Sequence, residues 1–401
     1  MGRRRDVGVA TALMLGAIGA AMAQEPGGLR GRLDAIAGVQ EAAYRRFVAD
    51  LEGHATEEAQ KPAVDRYEQE AARNAGEALD LARAHPEDPA AVEALRFVIE
   101  TARAGPGDQS YRAMELLLKD HVRDPGMGRL CGKIFHFGHS PIAEALLRAV
   151  AEGHPNREDR GLACQSLASF LAQRAKMVRD VRDGTWPVDR YVHDSAKEAT
   201  TRLIERSDPE ALDRDSDAIR ERILAEYADV KDWFTPRRTL GAIAEGELFA
   251  RQNLREGQVA PEVVGKDHRG QPFALGDYRG KVVVLTFGAT WCGPCVGMYP
   301  KERELVAKLA GRDFALVSVN ADEDVATLKK SIDSGEITWR CWWDGGMDGP
   351  ITTRWGVIAI PAVFVLDRAG VIRKKDVRGD ELEKAVMALL DEEPAGLVAP
   401  K

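Results

Sequence analysis

Two of the chain's five cysteines stand two residues apart, in the stretch TFGATWCGPCVGMYP that runs from Thr286 to Pro300. The preceding segment, KVVVLTF, is a short apolar run rich in β-branched residues, which predicts a buried strand. The following segment, GPCVGMYPKERELVAKLAG, has the apolar spacing of a helix. Cys292 thus stands where a strand ends and a helix begins. A helix N-terminus favours a thiolate over a thiol and lowers a cysteine pKa from about 8.5 to roughly 3.5–7.5.

A C-x-x-C pair can be a working redox pair, half of a metal site or a structural disulfide. A structural zinc site needs about four cysteine or histidine ligands. His268 is the only histidine after Gly257, and no second C-x-x-C is present. We therefore predict no metal and no cofactor, and we favour a redox pair. In that pair Cys292 attacks, and Cys295, one helical turn deeper, resolves the intermediate.

The same residues resemble the active site of thioredoxin-fold proteins, and the wider pattern resembles the TlpA/ResA-like branch of exported thiol-disulfide oxidoreductases. The motif ATWCGPC is preceded by APEVVGKDHRGQPFALGDYRGKVVVL and followed by Pro300, RWGVIAIPAVFVLD and RAGVIRKKDVRG, in the family's order. The resemblance covers about Gly257 to Glu392, roughly a third of the chain.

The resemblance implies roles for several residues around the motif. Cys292 and Cys295 would form a reversible, redox-active disulfide. Pro361 in AIPA would be a cis-proline that faces the cysteines, and Ile360 would offer backbone hydrogen bonds to an extended substrate peptide. Other supporting positions are Trp291, Gly293 and Pro294.

Three positions depart from the family pattern. Thr286 stands where thioredoxin has a buried aspartate, and Met298 stands where ResA-like proteins have a glutamate. Water, Thr286 or a carboxylate elsewhere in the chain is left as the route for the proton of Cys295. Gly288 replaces the usual tryptophan, which predicts open space near the site.

The dipeptide between the cysteines bears on the direction of electron flow. Gly293-Pro294 is also the dipeptide of thioredoxin, whose potential of about −270 mV is reducing. We therefore expect a reductant or exchanger whose partners are the thiols and disulfides of exported proteins. A membrane-bound electron donor or acceptor is a further candidate partner.

Two other functions compete with this one. A thiol peroxidase needs the pattern Pro-x-x-x-Thr/Ser-x-x-Cys, but Leu285 and Ala289 occupy the proline and threonine positions. The second alternative is a partner-binding or scaffold protein with an auxiliary thioredoxin-like domain. The intact pair of cysteines favours the oxidoreductase.

The N-terminus predicts export. Three arginines precede an apolar run from Val7 to Met22 that ends in Ala-Met-Ala, as in a signal peptide of residues 1–23. The mature protein would be periplasmic or otherwise extracytoplasmic, and a retained N-terminal membrane anchor is the alternative. The formal net charge of −8 without a basic stripe argues against nucleic acid as a partner.

The rest of the chain divides into two regions. Helical periodicity predicts an all-α N-terminal domain at residues 24–255, with helix starts at Asp88-Pro89 and Asp208-Pro209. Alternating strand and helix patterns predict an α/β thioredoxin-like domain at residues 256–393, a central mixed sheet covered by helices. Residues 394–401 would be a flexible tail. We expect the helical domain to bind a partner or to act as a spacer.

Several other residues have a structural interpretation. We expect Cys341 to be a core residue, and the acidic run Asp322-Glu323-Asp324 to mark a helix N-terminus. Cys131 and Cys164 either form an inter-helix disulfide or remain thiols, which the sequence leaves open. His136 and His139 near Cys131 are interpreted as helical-core residues rather than metal ligands.

Overall fold

The computed structural model describes residues 28–51, 57–102, 108–134, 137, 140–185, 194–235 and 237–392. Contacts divide the chain into two compact units, Met1–Ile219 and Arg220–Lys401. The predicted signal peptide, residues 1–23, and the predicted tail, residues 394–401, lie outside the described residues. His136 and His139 also lie outside them.

The described residues of the first unit form helices and turns, as the periodicity predicts. Asp208 accepts a hydrogen bond from the N–H of Glu210 at 3.0 Å, at the predicted start of a helix. The start predicted at Asp88-Pro89 is wrong, because that helix begins at Ala91 and the Asp88 carboxylate closes the preceding turn on Ala90. The helices are α1 Leu29–Leu51, α2 Glu57–Ala84, α3 Ala91–Thr101, α4 Gln109–Asp120, α5 Met127–Ile134, α6 Pro141–Gly153, α7 Arg157–Arg182, α8 Asp194–Arg206 and α9 Pro209–Glu226.

Two of the remaining cysteines lie in this unit. Cys131 on α5 and Cys164 on α7 are buried thiols that no disulfide joins, which decides the question that the sequence leaves open. Burial raises the pKa of the Cys131 thiol far above its ordinary range. In the described parts of the chain, no helix has the length and apolar character needed to cross a membrane. Nor do those parts contain a cluster of side chains suited to hold a metal ion.

The second unit is built around a mixed sheet of five strands in the order β5-β4-β3-β6-β7. β3 pairs in parallel with β4 and antiparallel with β6, so the predicted mixed sheet is confirmed. The strands are β1 Val264–Lys266, β2 Pro272–Ala274, β3 Val282–Gly288, β4 Phe314–Asn320, β5 Arg340–Trp343, β6 Ala362–Leu366 and β7 Ile372–Lys375. The helices are α10 Leu240–Asn253, α11 Gly293–Lys308, α12 Val325–Asp333, α13 Pro350–Arg354 and α14 Asp380–Asp391.

The central strand β3 is buried on both faces because alternate residues enter two different cores. Val282 and Val284 belong to one core, together with residues of α11 and α14. Val283, Leu285 and Phe287 belong to the other core, which includes residues of α13. The strand therefore has fixed neighbours up to its last residue, where the cysteine motif begins.

The helix α10 belongs to this second unit, although the predicted domain limit would end the helical domain at residue 255. Gly246 of α10 lies so close to α13 that an added Cβ would be 2.5 Å from the carbonyl oxygen of Thr353. Contacts place the division after Ile219. The predicted limit at 255 stays a prediction.

Candidate active site

The two cysteines of the motif are joined at the start of α11. Their sulfur atoms are 2.03 Å apart and their Cα atoms 5.2 Å apart. Cys292 is the N-cap residue of α11, and its sulfur accepts the N–H of Cys295 at 3.2 Å. The first sulfur therefore lies against the unpaired N–H groups of a helix N-terminus, as the sequence predicts. Gly293 and Pro294 are the first two residues of the helix, and neighbouring Trp291 is 61% exposed.

A loop before β6 lies directly against the disulfide. The peptide bond between Ile360 and Pro361 is cis, as the resemblance implies. The Ile360 carbonyl oxygen is 3.8 Å from the sulfur of Cys292, and Ile360 packs against the cluster that contains both cysteines. Arg378 donates a hydrogen bond to the carbonyl oxygen of Pro361 at 3.0 Å. The structure thus brings the predicted peptide-binding positions to the predicted redox pair.

No direct contact among the described residues supports the predicted proton route from Cys295 through Thr286. Thr286 is 6% exposed and lies on the same face of β3 as Gly288, whose added Cβ would be 3.5 Å from the sulfur of Cys295. Among the described residues, no hydrogen bond links Thr286 to either cysteine. The sequence predicts open space near the site because Gly288 has no side chain. Cys295 is nevertheless only 3% exposed, so this space does not expose the second sulfur to solvent. The role of Thr286 stays a prediction.

Asp322 is a site residue that the sequence analysis missed. Its carboxylate accepts hydrogen bonds from the N–H of Thr290 at 3.0 Å and from the Thr290 hydroxyl at 2.9 Å. A third bond comes from the side chain of Asn320 at 2.8 Å. The helix interpretation is right for Asp324, which caps α12 by accepting the N–H of Ala326, and wrong for Asp322. Only the pairing of β3 with β4 brings Asp322 to the cysteine loop.

Glu302 is a second carboxyl that the sequence analysis missed. Cys295, Tyr299 and Glu302 are all buried on one side of α11, at helical spacing. Burial raises the pKa of Glu302 from 4.5 to about 7. The seven-residue separation from Cys295 corresponds to about 10 Å of helix, which is too far for direct proton transfer. The relatives have their carboxylate at the positions of Thr286 or Met298, and Glu302 is at neither position. No motif in the sequence therefore indicates Glu302.

Cys341 is a core residue, as predicted. Its sulfur lies 2.9 Å from the hydroxyl of Ser318, which also accepts a hydrogen bond from the indole N–H of Trp339 at 3.0 Å. Burial raises the pKa of the Cys341 thiol to about 12. Burial and the raised pKa therefore disfavour the thiolate form of Cys341 near neutral pH, in agreement with a place in the core.

The part of the chain that contains the cysteine pair is similar to a known family and to known proteins. The family model described as Redoxin matches residues 255–390. The thiol-disulfide oxidoreductase ResA of Bacillus thuringiensis subsp. konkukian is 28% identical over 140 residues, which cover 35% of this chain and 79% of that protein. The thioredoxin-like protein YneN of Bacillus subtilis is 32% identical over 123 residues, which cover 30% of this chain and 70% of that protein.

A solved structure is also similar to part of the chain. It is a thiol:disulfide interchange protein of the thioredoxin family from Chlorobium tepidum, 25% identical. The match covers 34% of this chain and 97% of that one, with a TM-score of 0.30.

Proposed function

The chain belongs to the redoxin family of thioredoxin-like thiol-disulfide oxidoreductases, and from that premise we propose that it reduces or exchanges disulfides in other exported proteins. The observation that carries this proposal is the Cys292–Cys295 pair at the N-terminus of α11, beside the carbonyl of Ile360. In the proposed reaction Cys292 is the nucleophile and Cys295 is the resolving thiol.

The reaction begins with the pair reduced. The Cys292 thiolate attacks one sulfur of a substrate disulfide, forms a mixed disulfide and expels the other substrate sulfur as a thiolate that takes up a proton. Cys295 then loses its proton, attacks the sulfur of Cys292 and releases the second substrate thiol. Two electrons pass to the substrate, and the Cys292–Cys295 disulfide remains. A dithiol donor, proposed to be membrane-bound, must reduce it before the next cycle.

The substrate would bind as an extended segment beside the cis-proline loop. The backbone of Ile360 would pair with that segment while its disulfide lies over Cys292. Trp291 is exposed next to the first cysteine and offers an apolar contact. Asp322 would keep the Ala289–Trp291 loop in place through Thr290.

The proposed location is extracytoplasmic. It is supported by the three N-terminal arginines, the apolar run and the Ala-Met-Ala sequence that precedes Gln24. Mass spectrometry of the chain recovered from outside the cytoplasm tests the cleavage, since the proposal expects a mature N-terminus at Gln24. A chain that retains Met1 would instead support a membrane anchor.

Trapping the mixed disulfide tests the reaction. Cys295→Ser cannot resolve the intermediate, so mixing the reduced variant with insulin should give a covalent complex that dithiothreitol releases. Cys292→Ser lacks the proposed nucleophile and should give no such complex. Equal trapping by both variants would contradict the assignment of Cys292, and trapping by neither would contradict the proposed reaction.

A further inference from the structure

The segment before α10 forms a short hairpin. Lys231 and Thr239 form an antiparallel bridge at its base. Near the tip, the Asp232 carboxylate accepts the N–H of Thr235 at 2.7 Å and the Thr235 hydroxyl at 2.6 Å. The hairpin, described at residues 231–235 and 237–239, precedes the start of the Redoxin match at residue 255. Family membership therefore gives it no role.

Three loops of the second unit pack against the redox disulfide. Ala321 follows β4, Met347 follows β5 and Ile360 precedes β6, and all three contact the cluster that contains both cysteines. A change in the position of any of these loops would alter the surroundings of the sulfur atoms. The loops form the rim of the redox site.

Each of these three loops is also bonded to the hairpin. Arg237 pairs with Glu323 at 3.3 Å and lies 4.0 Å from Asp348. Arg238 donates a hydrogen bond to the carbonyl oxygen of Val357 at 3.4 Å. In their loops, Glu323 is two residues from Ala321, Asp348 is one residue from Met347, and Val357 is three residues from Ile360. Two adjacent arginines therefore contact the whole rim.

Arg238 is held in an unusual position for a cation. Its side chain is buried, with the residue only 5% exposed, and its Nε and Nη2 atoms have no hydrogen-bond partner among the described residues. Burial lowers the pKa of Arg238, and the nearby carboxylates partly offset this effect. These carboxylates belong to Asp348, Asp232 and Asp344. Because arginine stays charged, these carboxylates favour keeping Arg238 beside the rim.

The hairpin presents an aromatic side chain to solvent. Phe234 is 63% exposed, and its ring meets that of Trp233 edge to face at 5.8 Å. Ile358, next to the bonded Val357, is 54% exposed, and Trp291 beside the first cysteine is 61% exposed. Exposed apolar side chains therefore stand on the hairpin, in a loop that the hairpin contacts and next to the first cysteine. Exposed apolar surface of this kind favours protein binding.

We propose that this hairpin borders the redox site and that its exposed Phe234 contacts the polypeptide that carries the substrate disulfide. The occupant is a protein segment with apolar side chains beside its disulfide. This inference rests on the proposed function and adds a specificity element from outside the family-matched region. Arg237 and Arg238 act as positioning residues, because they touch the rim and not the sulfur atoms.

Cross-linking in the trapped complex tests the contact directly. The full chain with Cys295→Ser is joined to insulin through Cys292, with a photoreactive phenylalanine analogue at position 234. The control position is Val259, which is 59% exposed and bridges Val371, beyond the end of β6 opposite Pro361. We expect insulin to cross-link from position 234 and not from position 259. Failure at 234, or equal cross-linking from both positions, would overturn the proposal.

Kinetics give a second, independent test. The readout is the ratio of kcat/KM for insulin to kcat/KM for oxidised glutathione, a small disulfide that we expect not to contact the hairpin. Phe234→Ala should lower this ratio by up to about tenfold, and Val259→Ala should leave it at the wild-type value. An unchanged ratio for Phe234→Ala would overturn the contact.

A charge exchange tests the positioning by Arg237. Arg237→Glu should lower the same ratio, because it places a carboxylate against Glu323 and Asp348. Adding Glu323→Arg to that variant should restore most of the ratio. If the double variant is no better than Arg237→Glu, the ion pair does not position the hairpin. A wild-type chain that reduces neither insulin nor glutathione would instead overturn the proposed function, and this inference with it.

Discussion

Asp322 holds Thr290 through two hydrogen bonds, one from the backbone N–H at 3.0 Å and one from the hydroxyl at 2.9 Å. Thr290 stands two residues before Cys292, and Asp322 is only 1% exposed. The sheet makes this contact, because Gly288 and Asn320 at the ends of β3 and β4 are register partners. The loops that follow them are therefore neighbours.

Loss of this contact should destabilise the second unit. Asp322→Ala leaves the Thr290 N–H without its partner, and we expect it to cost roughly 1–3 kcal/mol in the free energy of unfolding. Thr290→Val removes only the hydroxyl bond and should cost about 1 kcal/mol. Urea unfolding followed by tryptophan fluorescence measures both, since six of the seven tryptophans follow residue 220. Asp322→Ala also removes the bond from the Asn320 side chain, so equal costs for the two variants would mean that neither this bond nor the Thr290 N–H bond contributes to stability.

Glu302 should make stability depend on pH. Its pKa is raised from 4.5 to about 7 in the folded state. Between these values the unfolded chain loses a proton that the folded chain keeps, so stability falls as pH rises from about 4.5 to 7 and is then level. The expected loss is roughly 3 kcal/mol.

Glu302→Gln does not titrate and provides the control for this loss. Its free energy of unfolding relative to the wild type should increase by roughly 3 kcal/mol across the same pH range, whatever constant offset the amide adds. Urea unfolding at several pH values measures the difference. Parallel curves for wild type and variant would show that Glu302 ionises as freely in the folded chain as in the unfolded chain.

The packing of α10 on α13 depends on a glycine. An added Cβ at Gly246 would lie 2.5 Å from the carbonyl oxygen of Thr353, so Gly246→Ala should destabilise the second unit by roughly 1–3 kcal/mol. Gly297 of α11 has no neighbour within 4 Å of such a Cβ, and Gly297→Ala should stabilise by about 0.5–1 kcal/mol. Thermal unfolding that moves both variants in the same direction would contradict this packing.

Thiol reactivity should separate the cysteines into two groups. In the reduced native protein we expect iodoacetamide to modify Cys292 first, because a helix N-terminus favours its thiolate. Cys341, whose pKa is raised to about 12, and buried Cys131 should react only after denaturation. Peptide mass spectrometry gives the order. Rapid native labelling of Cys341 would contradict its place in the core.

Features that depend on neighbouring residues in the sequence could be predicted. A β-branched run, a C-x-x-C motif and helical spacing predict β3, the cysteine pair and α11, and family order predicts the cis bond before Pro361. The strand β5 is not predicted, because Arg340–Trp343 is only four residues long and shows too little alternation to indicate a strand.

Asp322 and Arg237 could not be predicted as site residues for a different reason. Their contacts join positions 32 and 86 residues apart, respectively, and no spacing in the sequence encodes such contacts. Glu302 was missed because its environment, not its residue type, makes it unusual.

The most direct test of the account is an equilibrium redox titration of Cys292 and Cys295 in the purified protein, with Cys292→Ser as control. We predict one reversible two-electron transition at about −250 mV or lower, closer to thioredoxin than to the strong oxidant DsbA at about −120 mV. The control should show no such transition. A potential near that of DsbA would reverse the proposed direction, and the absence of any reversible transition in the wild type would contradict the oxidoreductase mechanism itself.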